Sequence, residues 1–435
     1  MLLIVFFVLV SLCMLTTNNE IIAPQSTFCI AFLFSITYAI GYVKMWSLDP
    51  STQTFFVIAG GGVLFVIVST LTGWAYDAIH RDEIRKARIP LKTSQFDYIV
   101  PHRWKLVVPI CIQLATLLLT IQFLKDINVG SIAAAMNYYR IINMFTEDSL
   151  YMPSYLSQLR AFCIASGYVW SYILANNIVF KVKRNRGWLI LNLLLSITNG
   201  VMTGGRASVI GIVIAFAVQY YIIYQRRVGW KRFFTFKKIL KVGIIGAVSI
   251  VVFVQSINWL GRTLKVGFGE YIAIYLSAEL KNLDIFIRKG IFGASPDRWQ
   301  TSIYFINFLA RRGFHPEWLH KTDIPFQTVN GHNLGNVYTI FYSFIYDGGY
   351  LAVVFFITLM AIICQVLFKT THIWRERDQN KINISIIIYS YLYFGIVFCF
   401  FSDFFYESLL NINFLKYVLT WYILKIFLPS RKKYQ

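Results

Sequence analysis

The stretch SITNGVMTGGRASVIGIVIAF, residues 196–216, sets one arginine, Arg206, between two apolar runs that otherwise carry no charge. A charge at the lip of apolar sequence is costly unless it is paired or solvated, so Arg206 is a functional candidate, with snorkelling to an interface as the simpler alternative. Thr203, Gly204 and Gly205 precede it and leave backbone N–H groups open to a ligand. A helix starting at Arg206 turns its positive dipole end toward the same point, and together these features describe an anion pocket. The anion available at that height is a lipid phosphate or diphosphate, which a guanidinium grips with two parallel hydrogen bonds.

A second group of reactive side chains lies in FHPEWLHKTDIPFQTVNGHNLGN, where His315, His320 and His332 fall within 18 residues. Their spacings do not fit an H-E-x-x-H zinc helix, so no metal is expected there. Each is either a solvated loop histidine or, for at least one of them, an acid–base group. Asp347, followed by Gly348 and Gly349, stands where polar and apolar sequence meet; it either caps the helix that follows or belongs to a site. The six cysteines all sit inside apolar runs without ligand-like spacing and read as packing residues.

The elements that must hold these groups are dictated by composition. Hydrophobic residues make up 57% of 435 and charged residues 14%, with a mean hydropathy of +0.58, which is the balance of an integral membrane protein and not of a soluble one. The apolar runs lack the alternation of barrel strands, so the expected fold is all-α and polytopic. Eleven helices are expected near 1–17, 23–45, 53–75, 106–124, 159–180, 188–202, 207–224, 242–259, 349–369, 384–401 and 413–429. The first of these reads as a retained helix, because no basic residue precedes it and no small-residue cleavage pattern follows.

Loops 76–105, 181–187, 225–241 and 369–383 and the tail 430–435 together carry 25 of the 41 Lys and Arg residues. They alternate so as to share one side, which the positive-inside rule assigns to the cytoplasm. The net charge of +21 follows from that flanking pattern and from contact with anionic headgroups, and it argues against a nucleic-acid partner. Residues 125–158, 203–206, 260–348 and 402–413 then face outward. Three parts are expected: 1–259 with eight helices, 260–348 as an external loop subdomain, and 349–435 with three helices and the tail. Within the loop, 270–289 has Ile272, Leu276, Leu280, Leu283 and Ile287 along one side, an amphipathic helix ended by Gly290. A second helix is expected after Ser295, Pro296 and Asp297, running to Gly313. Both either lie on the outer membrane surface, fold over a cavity or cover the bundle.

The outward TGGR turn between two spans, the long late external loop and NVYTIFYSFIYDGG running into a helix resemble the O-antigen polymerase family (Wzy type), oligosaccharide repeat-unit polymerases of bacteria. The resemblance implies a metal-independent membrane glycosyltransferase of the bacterial inner membrane, without a cofactor. Its substrate would be an undecaprenyl-diphosphate-linked oligosaccharide for O-antigen, capsule or exopolysaccharide, and its associates membrane lipids, a chain-length regulator and a flippase. It implies a stabiliser for the departing diphosphate, Arg206 with Thr203, Gly204 and Gly205, helped by Arg140, Arg262, Lys265 and Arg288. It also implies a base for the attacking hydroxyl: His332 first, then His320, Glu279 and Asp347. An O-antigen ligase shares this architecture, and a flippase or other transporter is the reading from a different class.

Overall fold

The computed structural model describes residues 1–87, 89, 99–145, 150–230, 267–290, 299–320, 324–373 and 382–428. In chain order the described helices are α1 Leu2–Thr16, α2 Pro24–Ala39, α3 Thr52–Ile79, α4 Arg81–Ala87, α5 Arg103–Asp126, α6 Ile132–Phe145, α7 Ser154–Val179, α8 Arg186–Val201, α9 Ala207–Val228, α10 Phe268–Lys289 and α11 Ile303–Ala310. A two-stranded hairpin follows, β1 Gln327–Val329 and β2 His332–Gly335, and then α12 Phe341–His372, α13 Ile384–Val397, α14 Phe404–Leu409 and α15 Ile412–Phe427.

Six described helices are long and apolar enough to cross a membrane: Pro24–Tyr42, Thr52–Ile79, Arg103–Asp126, Ser154–Val179, Ala207–Val228 and Phe341–His372. This is the architecture of a helical membrane protein. Four other expected spans form shorter helices; α8 and α15 have 16 residues each, about 24 Å of rise against a hydrocarbon core of about 30 Å. The eleventh, 242–259, lies outside the described residues, as do Arg262, Lys265 and the expected helix start at 295–297.

The chain folds into two compact units, each assembled from separated segments. The first comprises Met1–Ile79, Leu264–Lys369 and Leu392–Ile412; the second comprises His80–Thr263, Thr370–Tyr391 and Asn413–Gln435. Segment 264–369 thus shares a unit with the first three helices. Helices associate through matching faces and not through chain order, which hydropathy along the chain does not encode.

In the first unit the core is aromatic. Phe28 stacks on Phe65 with centroids 4.3 Å apart, and Phe32 lies 5.3 Å from Phe6 and 5.7 Å from Phe341. Small residues of α3 admit them: a Cβ at Gly61 would collide with the Phe341 ring, and one at Gly62 would stand 2.9 Å from Phe6. In lipid such close packing, more than transfer from water, holds helices together. In the second unit α7 is the most enclosed span, with 83% of its apolar window buried. Interhelical hydrogen bonds bind its neighbours, Gln113 to Asn192 at 2.9 Å, Ser196 to Gln113 at 2.9 Å and Ser171 to Gln219 at 2.7 Å. Pairing of this kind offsets the cost of burying polar side chains among apolar helices.

Candidate functional site

The hairpin puts His332 in place. Asn330 and Gly331 form its two-residue turn, both with positive φ (50° and 80°), and Val329 pairs with His332. An Asn-Gly pair suits this turn because both positions require left-handed backbone. The Asn330 side chain donates to the Met45 carbonyl at 3.1 Å and to Ser47 Oγ at 3.0 Å, which anchors the tip. Behind it, Leu334 and Val337 pack with Trp46, Ala273, Ile274 and Ala278, and Asn282 of α10 donates to the carbonyls of Leu334 and Val337.

Docked in this way, His332 Nδ1 lies 2.8 Å from Glu270 Oε1, in the first turn of α10. A helix amino terminus favours a carboxylate there. A carboxylate accepts from an Nδ1–H, and a neutral imidazole that donates there keeps Nε2 as its acceptor. The side chains keep 35% and 22% of their surfaces exposed, enough to meet a solute. A carboxylate that fixes the tautomer and orientation of a histidine is a recurrent general-base arrangement. Glu270 was not among the sequence candidates; it is 62 positions from His332, and its only local signal is an acid at a helix start.

The other candidates of this unit meet different partners. His320 is tied to α11 by Asn307, which donates to its carbonyl at 2.7 Å and accepts its amide at 3.0 Å. His315 is exposed, 2.8 Å from Glu317 and stacked on Trp318. Asp347 does not cap the helix that follows it: its carboxylate accepts the amides of Gln300 (2.6 Å) and Thr301 (2.8 Å), pinning the entry to α11. The backbone breaks just beyond it, at Gly348 and Gly349, inside α12. Arg288, an expected helper for the anion, donates to Asp284 at 2.8 Å and to the Asp49 carbonyl at 2.7 Å.

The amphipathic helix appears where expected, with Gly290 as its left-handed cap, but its buried face is wider and partly polar. Leu280, Leu283 and Ile287 are buried, whereas Ile272 and Leu276 are only half-buried, and Glu279, Asn282 and Asp284 lie fully inside. Asp284 accepts the Ser51 amide at 2.7 Å and the Thr54 hydroxyl at 2.8 Å at the start of α3. Burial raises its carboxyl, but those donors and Arg288 outweigh burial and hold it below the ordinary range. Glu279 differs: Oε1 accepts from Ser35 at 2.5 Å, and Oε2 is buried without a partner. Burial pushes its carboxyl up to about 8, so it is a neutral acid at pH 7.

In the second unit the turn at 203–206 is built on α6. Gly204 has φ +74°, and a Cβ there would stand 2.9 Å from the Met136 carbonyl and 3.5 Å from Arg140 Cβ, so only glycine allows this seat. Beneath it, Met136 packs with Leu124 and Ala135, and Met202 closes over them. Arg206 is half-buried and stands at the N-cap position of α9 without capping it through its own side chain. A further arginine, not singled out in the sequence, reaches the same turn: Arg160 of α7, with only 5% of its surface exposed, donates from Nη2 to Thr203 Oγ1 at 3.2 Å. One polar turn thus contains Arg206, bonds Arg160 through Thr203 and packs against Arg140 Cβ.

Among the described residues, no three His, Cys, Asp or Glu side chains gather in a way that could hold a metal ion. Compared with protein-family models, with curated proteins and with solved structures, the chain matches none.

Proposed function

We propose that the protein is a membrane glycosyltransferase that polymerises undecaprenyl-diphosphate-linked oligosaccharide units at the outer face of the bacterial inner membrane. The single observation that carries this reading is the His332–Glu270 pair at 2.8 Å on a segment that the charge pattern assigns to the outside. In the reaction a sugar hydroxyl of one lipid-linked unit attacks the anomeric carbon of another. The anomeric C–O bond breaks, the diphosphate leaves with its electron pair, and the hydroxyl proton passes to His332 Nε2. Glu270 supports the imidazolium that forms. Separately, and on the geometry of the second unit alone, the 203–206 turn with Arg206 is assigned to a lipid diphosphate.

The test is extension of lipid-linked repeat units by the purified full-length protein in detergent, followed by gel analysis of the products. Extension without an ion gradient supports a transferase and excludes a transporter. A strain lacking the protein should carry single repeat units on the normal acceptor. Long polymers stranded on the lipid carrier would instead assign the protein as a ligase.

A further inference from the structure

Arg160 sits within the second turn of α7, about 9 Å along the helix from its first residue. It is buried among apolar helices, yet no carboxylate among the described residues lies within ion-pair distance of it. One terminal nitrogen, Nη2, is satisfied by Thr203; the other, Nη1, is buried and meets no acceptor. An uncompensated buried guanidinium is among the most costly features a fold can retain, and breaking a buried pair by removing one partner is strongly destabilising. Here no such partner stands among the described residues. Thr203 belongs to a turn in which the Cβ position of Gly205 has no atom within 4 Å, followed by the amino-terminal end of the 22-residue helix α9. A cation with a spare donor, bonded to an open polar turn, is half of an anion site.

We infer that Arg160 is a direct ligand for a phosphate-type oxyanion at the 203–206 turn, with Nη1 and Nη2 as its paired donors and Thr203 as the latch that holds the guanidinium before the anion arrives. This rests on the assignment of the turn to a lipid diphosphate and deepens it by naming the buried residue that binds. An anion that binds only the folded state raises its stability in proportion to the logarithm of its concentration. The test is therefore thermal unfolding of the detergent-purified full chain, titrated with inorganic pyrophosphate or with undecaprenyl diphosphate against chloride at matched ionic strength. Both anions are expected to raise the wild-type melting temperature, and a shift with undecaprenyl diphosphate alone identifies the lipid as the source. Arg160→Gln should weaken the apparent affinity by about tenfold or more, as expected for loss of a charge-assisted pair. Should that variant not fold, Arg160→Lys keeps the charge without the fork and should also bind more weakly. An absent anion effect in the wild type, or an equal effect in wild type and variant, overturns the assignment. Binding that depends on Arg160 in a protein that fails to extend lipid-linked units would leave this site standing and remove the polymerase reading instead.

Discussion

His332 and Glu270 form a pair whose two members contribute differently. If His332 takes the hydroxyl proton, His332→Ala should lower turnover by about a hundredfold, the usual weight of a general base. Glu270→Gln, which leaves the ring in place but removes the carboxylate, should cost about tenfold; single-turnover assays on lipid-linked donor measure both, and an unchanged rate in either removes that residue from the chemistry. Glu279 carries a stability prediction. Its carboxyl stands at about 8 in the fold against an ordinary value of 4.5, so between those values the native state holds a proton that the unfolded chain has released. Its contribution is fully present at acid pH and is lost as pH rises through the window, by up to about 1.4 kcal/mol per unit, levelling off above it. Glu279→Gln should flatten that decline in unfolding curves recorded from pH 5 to 9. Of these residues, His332 was legible as a histidine on a polar loop. Glu270 and Arg160 were not, because one is distant in sequence and the other is a single basic residue at the edge of a long apolar run.

At the scale of elements, α10 and the hairpin show what periodicity reads and what it misses. The three-to-four spacing of apolar residues located α10 and its glycine stop, but placed its inner face only in part, since Glu279, Asn282 and Asp284 turn inward to bind Ser35, the hairpin carbonyls and the start of α3. Polar residues are inside when the fold supplies their partners, and those partners come from elsewhere in the chain. The hairpin had a short local signal in Asn330–Gly331 and so was available to sequence reading. The glycines of α3 allow a direct contrast. Gly60 has open space around its Cβ position, whereas Gly61 faces the Phe341 ring. Gly60→Ala should be neutral or stabilising by up to about 1 kcal/mol, and Gly61→Ala should destabilise by about 1–3 kcal/mol through overpacking. Denaturation of the two variants side by side in the same detergent measures the difference, and equal effects would contradict the packing described.

For the whole molecule, the proposed orientation makes His315 and Lys183 opposite reporters: the first is exposed on the outer segment, and the second lies in a basic loop assigned to the cytoplasm. A single cysteine replacing His315, in a background with Cys111 changed to Ser, should react with an impermeant maleimide in intact cells. One replacing Lys183 should react only after permeabilisation, and the reverse pattern would invert the topology. Membrane class, helical content and the flanking charges were determined by sequence alone, because lipid demands contiguous apolar runs and self-satisfied backbone, and both are local properties. Tertiary structure alone decided that separated segments share a unit, that Asp347 meets the amides of Gln300 and Thr301 and Arg288 meets Asp284, and that Glu270 meets His332 and Arg160 reaches Thr203. Those outcomes depend on which helix faces match and on which buried polar atoms find partners, and both are set by contacts between residues far apart in the chain.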